Sequence, residues 1–152
     1  MKPVITFVAC LICIQLFACN KNNEMKSSSN NSSDTSSMKL KITIGGNTFN
    51  ATVYNNATAT AFKTKLPMTI NMTELNGNEK FFDLPDNLPT NASNPGTIQT
   101  GDLMLYGSKT VVLFYKTFST SYNYTRLARI DNSTGLADAL GSGNVIVRFE
   151  LQ

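Results

Sequence analysis

Between Phe114 and Arg129 the chain gathers five aromatic rings, Phe114, Tyr115, Phe118, Tyr122 and Tyr124, among the polar side chains of Thr117, Ser119, Thr120, Ser121 and Asn123. Flat apolar faces with interspersed polar groups suit a ligand pocket: rings supply contact area, and polar groups supply orientation. The competing assignment puts Phe114 and one tyrosine in the core and leaves the hydroxyls to solvate a loop. Two arginines follow, Arg126 and Arg129, and their odd spacing sends them to opposite faces of a strand. If Ala128 and Ile130 point inward, so does Arg126, and a buried guanidinium needs an acidic or carbonyl partner. Tyr115, Phe118, Tyr122, Tyr124 and Arg126 are therefore the candidate ligand-binding residues, with a structural ion pair as the competing role for Arg126. Asp83 and Asp86, three apart, form either an acid–base pair or a solvated loop pair.

Much chemistry is excluded by composition. There is no histidine, which removes Ser-His-Asp and Cys-His catalysis and the commonest transition-metal ligand. The three cysteines all lie at or before position 19, so the rest of the chain has no disulfide, redox pair or thiol nucleophile. Gly101 to Thr110 has the wrong spacing for a phosphate loop and reads as strand, and Gly141-Ser142-Gly143 lacks a third glycine and precedes a strand. Asp131-Asn132-Ser133-Thr134-Gly135 has its glycine one place early for a calcium loop and no closing glutamate. No catalytic residue, metal site or cofactor is assigned.

The elements that must position the candidates begin after a leader. Met1-Lys2 is followed by an apolar run from Val4 to Phe17, shorter than the roughly 20 residues of a membrane span. It ends in Leu16-Phe17-Ala18-Cys19, which resembles the lipobox of bacterial lipoproteins. That resemblance implies a signal peptide over 1–18 and lipidation of Cys19. Asn20, in place of the aspartate that holds some lipoproteins at the inner membrane, favours the outer membrane. Residues 19–37 are mostly serine and asparagine, a composition that buries nothing and reads as a flexible tether with a reach of about 20–25 Å. Without Lys2, 12 basic residues stand against 10 acidic ones, too even a balance for nucleic acid.

Residues 38–152 read as one domain. Leu40, Ile42 and Ile44 alternate with polar residues, as do Phe49, Ala51 and Val53 across Gly45-Gly46-Asn47, which predicts a hairpin. Asn55 or Asn56 caps a helix reaching Leu66 before Pro67, with Ala59, Phe62 and Leu66 on its buried face. Met68–Leu75 alternates again, and Lys80-Phe81-Phe82 is a short returning strand. A proline-containing loop runs from Asp83 to Gly101. Strands follow at 103–106, 110–115, 125–130 and 144–151, the last burying Val145, Val147, Phe149 and Leu151, with a short helix from Gly135 to Leu140 before it. The class is mainly β, with about eight strands closed or nearly closed and two short helices.

Lys41-Ile42-Thr43-Ile44-Gly45-Gly46, Asn78-Glu79-Lys80, Pro89-Thr90-Asn91, Asn94-Pro95-Gly96-Thr97-Ile98, Gly101–Gly107, Phe118–Tyr122, Thr125-Arg126-Leu127 and Gly135-Leu136 resemble the small bacterial cyclophilin-like domain family. The resemblance spans nearly all of 39–150 and implies a closed eight-stranded barrel with a helix at either end. Cyclophilins proper are prolyl isomerases that use an arginine in a Phe-His-Arg strand motif, and no residue here matches that motif. The expectation is an envelope lipoprotein that meets the membrane through its lipid only. Its barrel would bind a small molecule or a peptide segment in a cleft between the loop 91–97 and the loop 117–124. A divergent prolyl isomerase and a structural or assembly protein are the alternatives.

Overall fold

The computed structural model describes residues 38–152. The expected signal peptide, the lipidated Cys19 and the tether over 19–37 lie outside the described residues.

Strands β1 (Lys39–Ile44) and β2 (Asn47–Val53) form the expected hairpin, with Ile42 opposite Phe49 and Leu40 opposite Ala51. Its inward side chains are buried, except that Val53 is only half-buried. Helix α1 (Ala57–Lys63) begins where the Asn56 side chain accepts the Ala59 N–H at 2.8 Å. It stops three residues short of the expected Leu66. Thr64, Lys65 and Leu66 donate to the carbonyls three residues back, at 3.0–3.2 Å, so the chain leaves through a tighter turn. Pro67 is the reason: it disfavours helical backbone at Leu66.

Strands β3 (Met68–Leu75), β4 (Glu79–Asp83), β5 (Thr97–Ile98), β6 (Asp102–Tyr106), β7 (Thr110–Phe114), β8 (Phe118–Ser119) and β9 (Tyr124–Ile130) follow, then helix α2 (Leu136–Leu140) and strand β10 (Val145–Leu151). Eight of them close an antiparallel barrel in the order β1-β10-β3-β4-β7-β6-β9-β2, so that every strand has a neighbour on both sides. The other two, β5 and β8, pair only with each other and were not anticipated as strands. Leu151, expected to be buried, is 45% exposed. Pairing with β3 ends at Phe149, so beyond that point one flank of β10 is open.

There are two apolar clusters. The larger fills the barrel with residues such as Ile42, Leu103, Leu113, Leu127 and Phe149, with Phe62 of α1 meeting Phe149 edge to face at 6.1 Å. The smaller lies on the outside of the wall, where Ile98, Met104, Val112, Phe114 and Tyr124 pack together with Phe81 and Phe118 against them. Ile98 and Phe118 belong to the β5–β8 ribbon, which thus covers part of the outer face.

Lys80 points into the barrel and is fully buried. Its ammonium donates to Glu74 and to the carbonyls of Gly141 at 2.8 Å and Gly143 at 2.7 Å, using all three donors. Tyr115 donates to the same Glu74 carboxylate, and the Lys80 ammonium lies 5.2 Å from the Tyr115 ring centre. A buried charge with every donor satisfied is tolerable, and here it fastens the turn after α2 to the wall formed by β3 and β4.

Candidate functional site

The register decides which side chains reach the outer face. Phe81 lies opposite Val112, Val112 opposite Met104, and Met104 opposite Arg126, so these four project from the same side of the wall. One step along, Asp83, Thr110, Tyr106 and Tyr124 form a second row, and Glu79 and Phe114 form a third. The ribbon covers one part of this surface. The remainder is an open cleft of about 380 Å³ lined by Leu75, Asn76, Glu79, Phe81, Asp83, Tyr106, Thr110, Val112, Tyr122 and Tyr124.

Phe81 and Val112 are shared between the cleft and the outer apolar cluster, so the cleft floor is backed by packed side chains. Tyr106 meets Tyr122 edge to face, with ring centres 6.0 Å apart, and Tyr124 at 5.6 Å with a 50° tilt. Such angles give walls in different planes rather than a stack. The polar groups are acidic or neutral. Asp83 accepts from the Thr110 hydroxyl at 2.6 Å. Burial pushes the Glu79 carboxyl above its ordinary value, and repulsion from Glu74 adds to this. The Tyr124 hydroxyl is pushed up to about 12, first by burial and then by the Glu79 charge.

The sequence candidates divide. Tyr122 and Tyr124 line the cleft, Tyr122 being 61% exposed and Tyr124 nearly buried. Phe118, part of the ribbon itself, packs on Phe114 with ring centres 5.8 Å apart. Tyr115 lies with the barrel core, its hydroxyl on Glu74. Burial and that carboxylate raise it to about 12. Arg126 donates to the Tyr54 hydroxyl at 3.3 Å and stands 5.7 Å from that ring's centre, outside the cleft lining. Asp86 pairs with Lys65 at 3.0 Å, so Asp83 and Asp86 do not act together.

Two expectations are corrected. Ala128 and Ile130 do point inward, yet Arg126 points outward, because a bulge interrupts the β6–β9 pairing: Leu103 faces Ala128 and Met104 faces Arg126. Leu127 is the extra residue, and it is also buried inside, so parity reverses there. Arg129 is exposed, with its Nε 3.9 Å from a carboxylate oxygen of buried Asp102. The cleft expected between the loops 91–97 and 117–124 is likewise displaced: the cleft described above is lined by Tyr122 and Tyr124 of the second loop and by no residue of the first. Ser93 and Tyr124 exchange both backbone hydrogen bonds at 3.0 Å, and Thr120 donates to Gly96 at 2.9 Å, which zips the two loops together. The cleft opens on the other side of Tyr122 and Tyr124. Glu79, Phe81, Tyr106 and Val112 were missed as lining residues. The register of β4, β7 and β6 places them in adjoining rows, and the sequence of β4 has no polar–apolar alternation that would have shown it.

Among curated proteins, none matches the chain. The solution structure of the hypothetical protein AF2241 from Archaeoglobus fulgidus is similar in fold, with a TM-score of 0.58 at 19% identity, covering 76% of this chain and 95% of that one. The family model described as the cyclophilin-like family matches residues 42–150. That span runs from the strand that opens the barrel to the strand that completes it, and it makes this chain a member of the cyclophilin-like family.

Proposed function

We propose that this barrel is a binding module that takes a small molecule or a short peptide segment in its outer-face cleft, held at the bacterial envelope by a lipid on Cys19. One observation carries the binding reading. Of the six large apolar side chains exposed among the described residues, three, Leu75, Tyr106 and Tyr122, border this one cleft. Scattered exposed apolar residues need no explanation, whereas a group of them around a concavity marks a contact site. The address rests on Leu16-Phe17-Ala18-Cys19 and the serine- and asparagine-rich segment after it, with the outer membrane favoured. Neither arginine in reach supports prolyl isomerisation: Arg126 is engaged by Tyr54, and Arg129 faces Asp102.

Amide spectra of the purified protein, recorded during titration with small aromatic, amine and acid fragments and with proline-containing tetrapeptides, test this. Shifts confined to the neighbourhood of Leu75, Glu79, Phe81, Tyr106 and Tyr122, and lost in Tyr106→Ala, are the expected result. A library that moves none of these resonances would overturn the binding reading. Accelerated prolyl isomerisation that disappears in Arg126→Ala would replace it with the enzyme.

A further inference from the structure

If the cleft is a binding site, as proposed above, its charge pattern narrows the ligand. Basic residues outnumber acidic ones in the chain, 13 to 10, yet no lysine or arginine lines the cleft, while Glu79 and Asp83 do. Lys80, next to Glu79 in sequence, is turned into the barrel and saturated there. Lys116 directs its ammonium over the Gly77 turn, where it would stand 4.0 Å from an added Cβ. The two carboxylates are not equivalent. Asp83 is engaged by Thr110, whereas burial and Glu74 both act against the Glu79 charge and no donor offsets them.

The same cleft is walled by three tyrosine rings: Tyr124, whose hydroxyl feels the Glu79 charge, Tyr106 at 50° to it, and Tyr122 at 88° to Tyr106. Ring faces carry negative potential and attract organic cations, and the attraction grows as water is excluded. Phe81 and Val112 supply apolar contact for carbon substituents. A metal ion is a poor fit, because Asp83 lies four residues along β4 from Glu79, about 13 Å at the ordinary strand rise. One small cation therefore meets one carboxylate.

The geometry points to an organic ammonium ion as the ligand, free or at the end of a lysine-like side chain, with its charge against Glu79 and its carbon groups against Tyr106, Tyr122 and Tyr124. The experiment is a titration of the protein, followed by amide spectra, with choline, with its neutral isostere 3,3-dimethylbutanol, and with N-acetyl-lysine methylamide. Choline or the lysine derivative should bind about tenfold more tightly than the alcohol, and Glu79→Gln should remove about tenfold of cation affinity while leaving the alcohol unchanged. Tighter binding of choline assigns a free small cation, and tighter binding of the lysine derivative assigns a side chain. If the alcohol binds as well as choline, the cation inference fails while the binding module stands. If none of the three moves the cleft resonances, the cation inference also fails, and the fragment titration alone decides whether the cleft binds anything.

Discussion

Glu79 and Lys80 are neighbours in sequence with opposite fates, and the contrast separates a buried charge whose partners are all present from one opposed by its surroundings. Lys80 is buried, but each of its donors has an acceptor, so its charge holds the fold together. The Glu74 carboxyl it meets is opposed by burial, yet hydrogen bonds from Lys80, Tyr115 and the Gly77 N–H outweigh this and lower it overall. Its contribution to stability is present above the ordinary glutamate value and is lost as pH falls through the lowered one. Glu79 works the other way. Its carboxyl is raised in the folded protein, so its ionisation costs stability at neutral pH, and the cost vanishes as pH falls through the raised value towards the ordinary 4.5. Glu79→Gln should therefore unfold at slightly higher urea than wild type at pH 7, a gain of less than about 1 kcal/mol, and the difference should shrink to nothing near pH 4. Urea titrations at the two pH values check this. A variant less stable than wild type at pH 7 would mean that the carboxylate has a structural partner. None of this is legible in Glu79-Lys80-Phe81-Phe82-Asp83, because the segment has no polar–apolar alternation from which to read its faces. Tyr122 and Tyr124 were legible as cleft candidates only through local aromatic density.

Besides the packing of Phe62 in the core, helix α1 is attached to the barrel by one polar side chain, Asn56, that does two jobs. The Asn56 oxygen caps the helix through the Ala59 N–H, and its amide nitrogen donates to the Arg126 carbonyl at 2.8 Å. That carbonyl lies beside the bulge that turns Arg126 outward, so the cap also ties the helix to the irregular part of β9. Asn56→Ala should cost about 1–2 kcal/mol for the lost cap, with up to about 1 more for the carbonyl bond. Asn56→Ser should keep the cap and lose only the second contact. Urea midpoints for the two variants separate the contributions, and equal losses would contradict the division. The cap was legible as Asn55 or Asn56, as were the hairpin at Gly45-Gly46 and the alternating strands, because each is specified within a few residues of sequence. The bulge was not, since the extra residue exists only relative to β6, more than twenty positions earlier. The β5–β8 ribbon escaped for a similar reason. Two residues carry no periodicity, and Thr97–Ile98 becomes a strand only because Phe118–Ser119 comes back beside it.

Closure of the barrel links the two ends of the described chain through space. β1 pairs with β10 from Leu40 opposite Leu151 to Ile44 opposite Val147, and the Gln152 N–H donates to the Lys39 carbonyl at 3.1 Å. Once the sheet is closed, the order in which the chain visits its strands matters less than the presence of all eight. The Gly45-Gly46 turn contributes only connection: both glycines are exposed, and nothing lies within 4 Å of a Cβ built on either. A permuted chain that starts at Gly46, joins Gln152 to Met38 by a short glycine–serine linker and ends at Gly45 should therefore fold to the same barrel. Exchanging one loop closure for another should cost about 1–2 kcal/mol. Deletion of 145–152 removes Val147 and Phe149 from the core and bares the edges of β1 and β3. That protein should show no cooperative urea transition and should aggregate, as unpaired hydrophobic edges do. The cleft offers an independent readout, because its walls come from β3, β4, β6, β7, the segment leading into β9 and Tyr124 at its start, whereas β9 meets β2 only at its far end, Ala128–Ile130. The permutant should then retain the amide pattern around Phe81, Tyr106 and Tyr122. Loss of folding in the permutant would make the β1–β2 connection, rather than closure, the element on which the barrel depends.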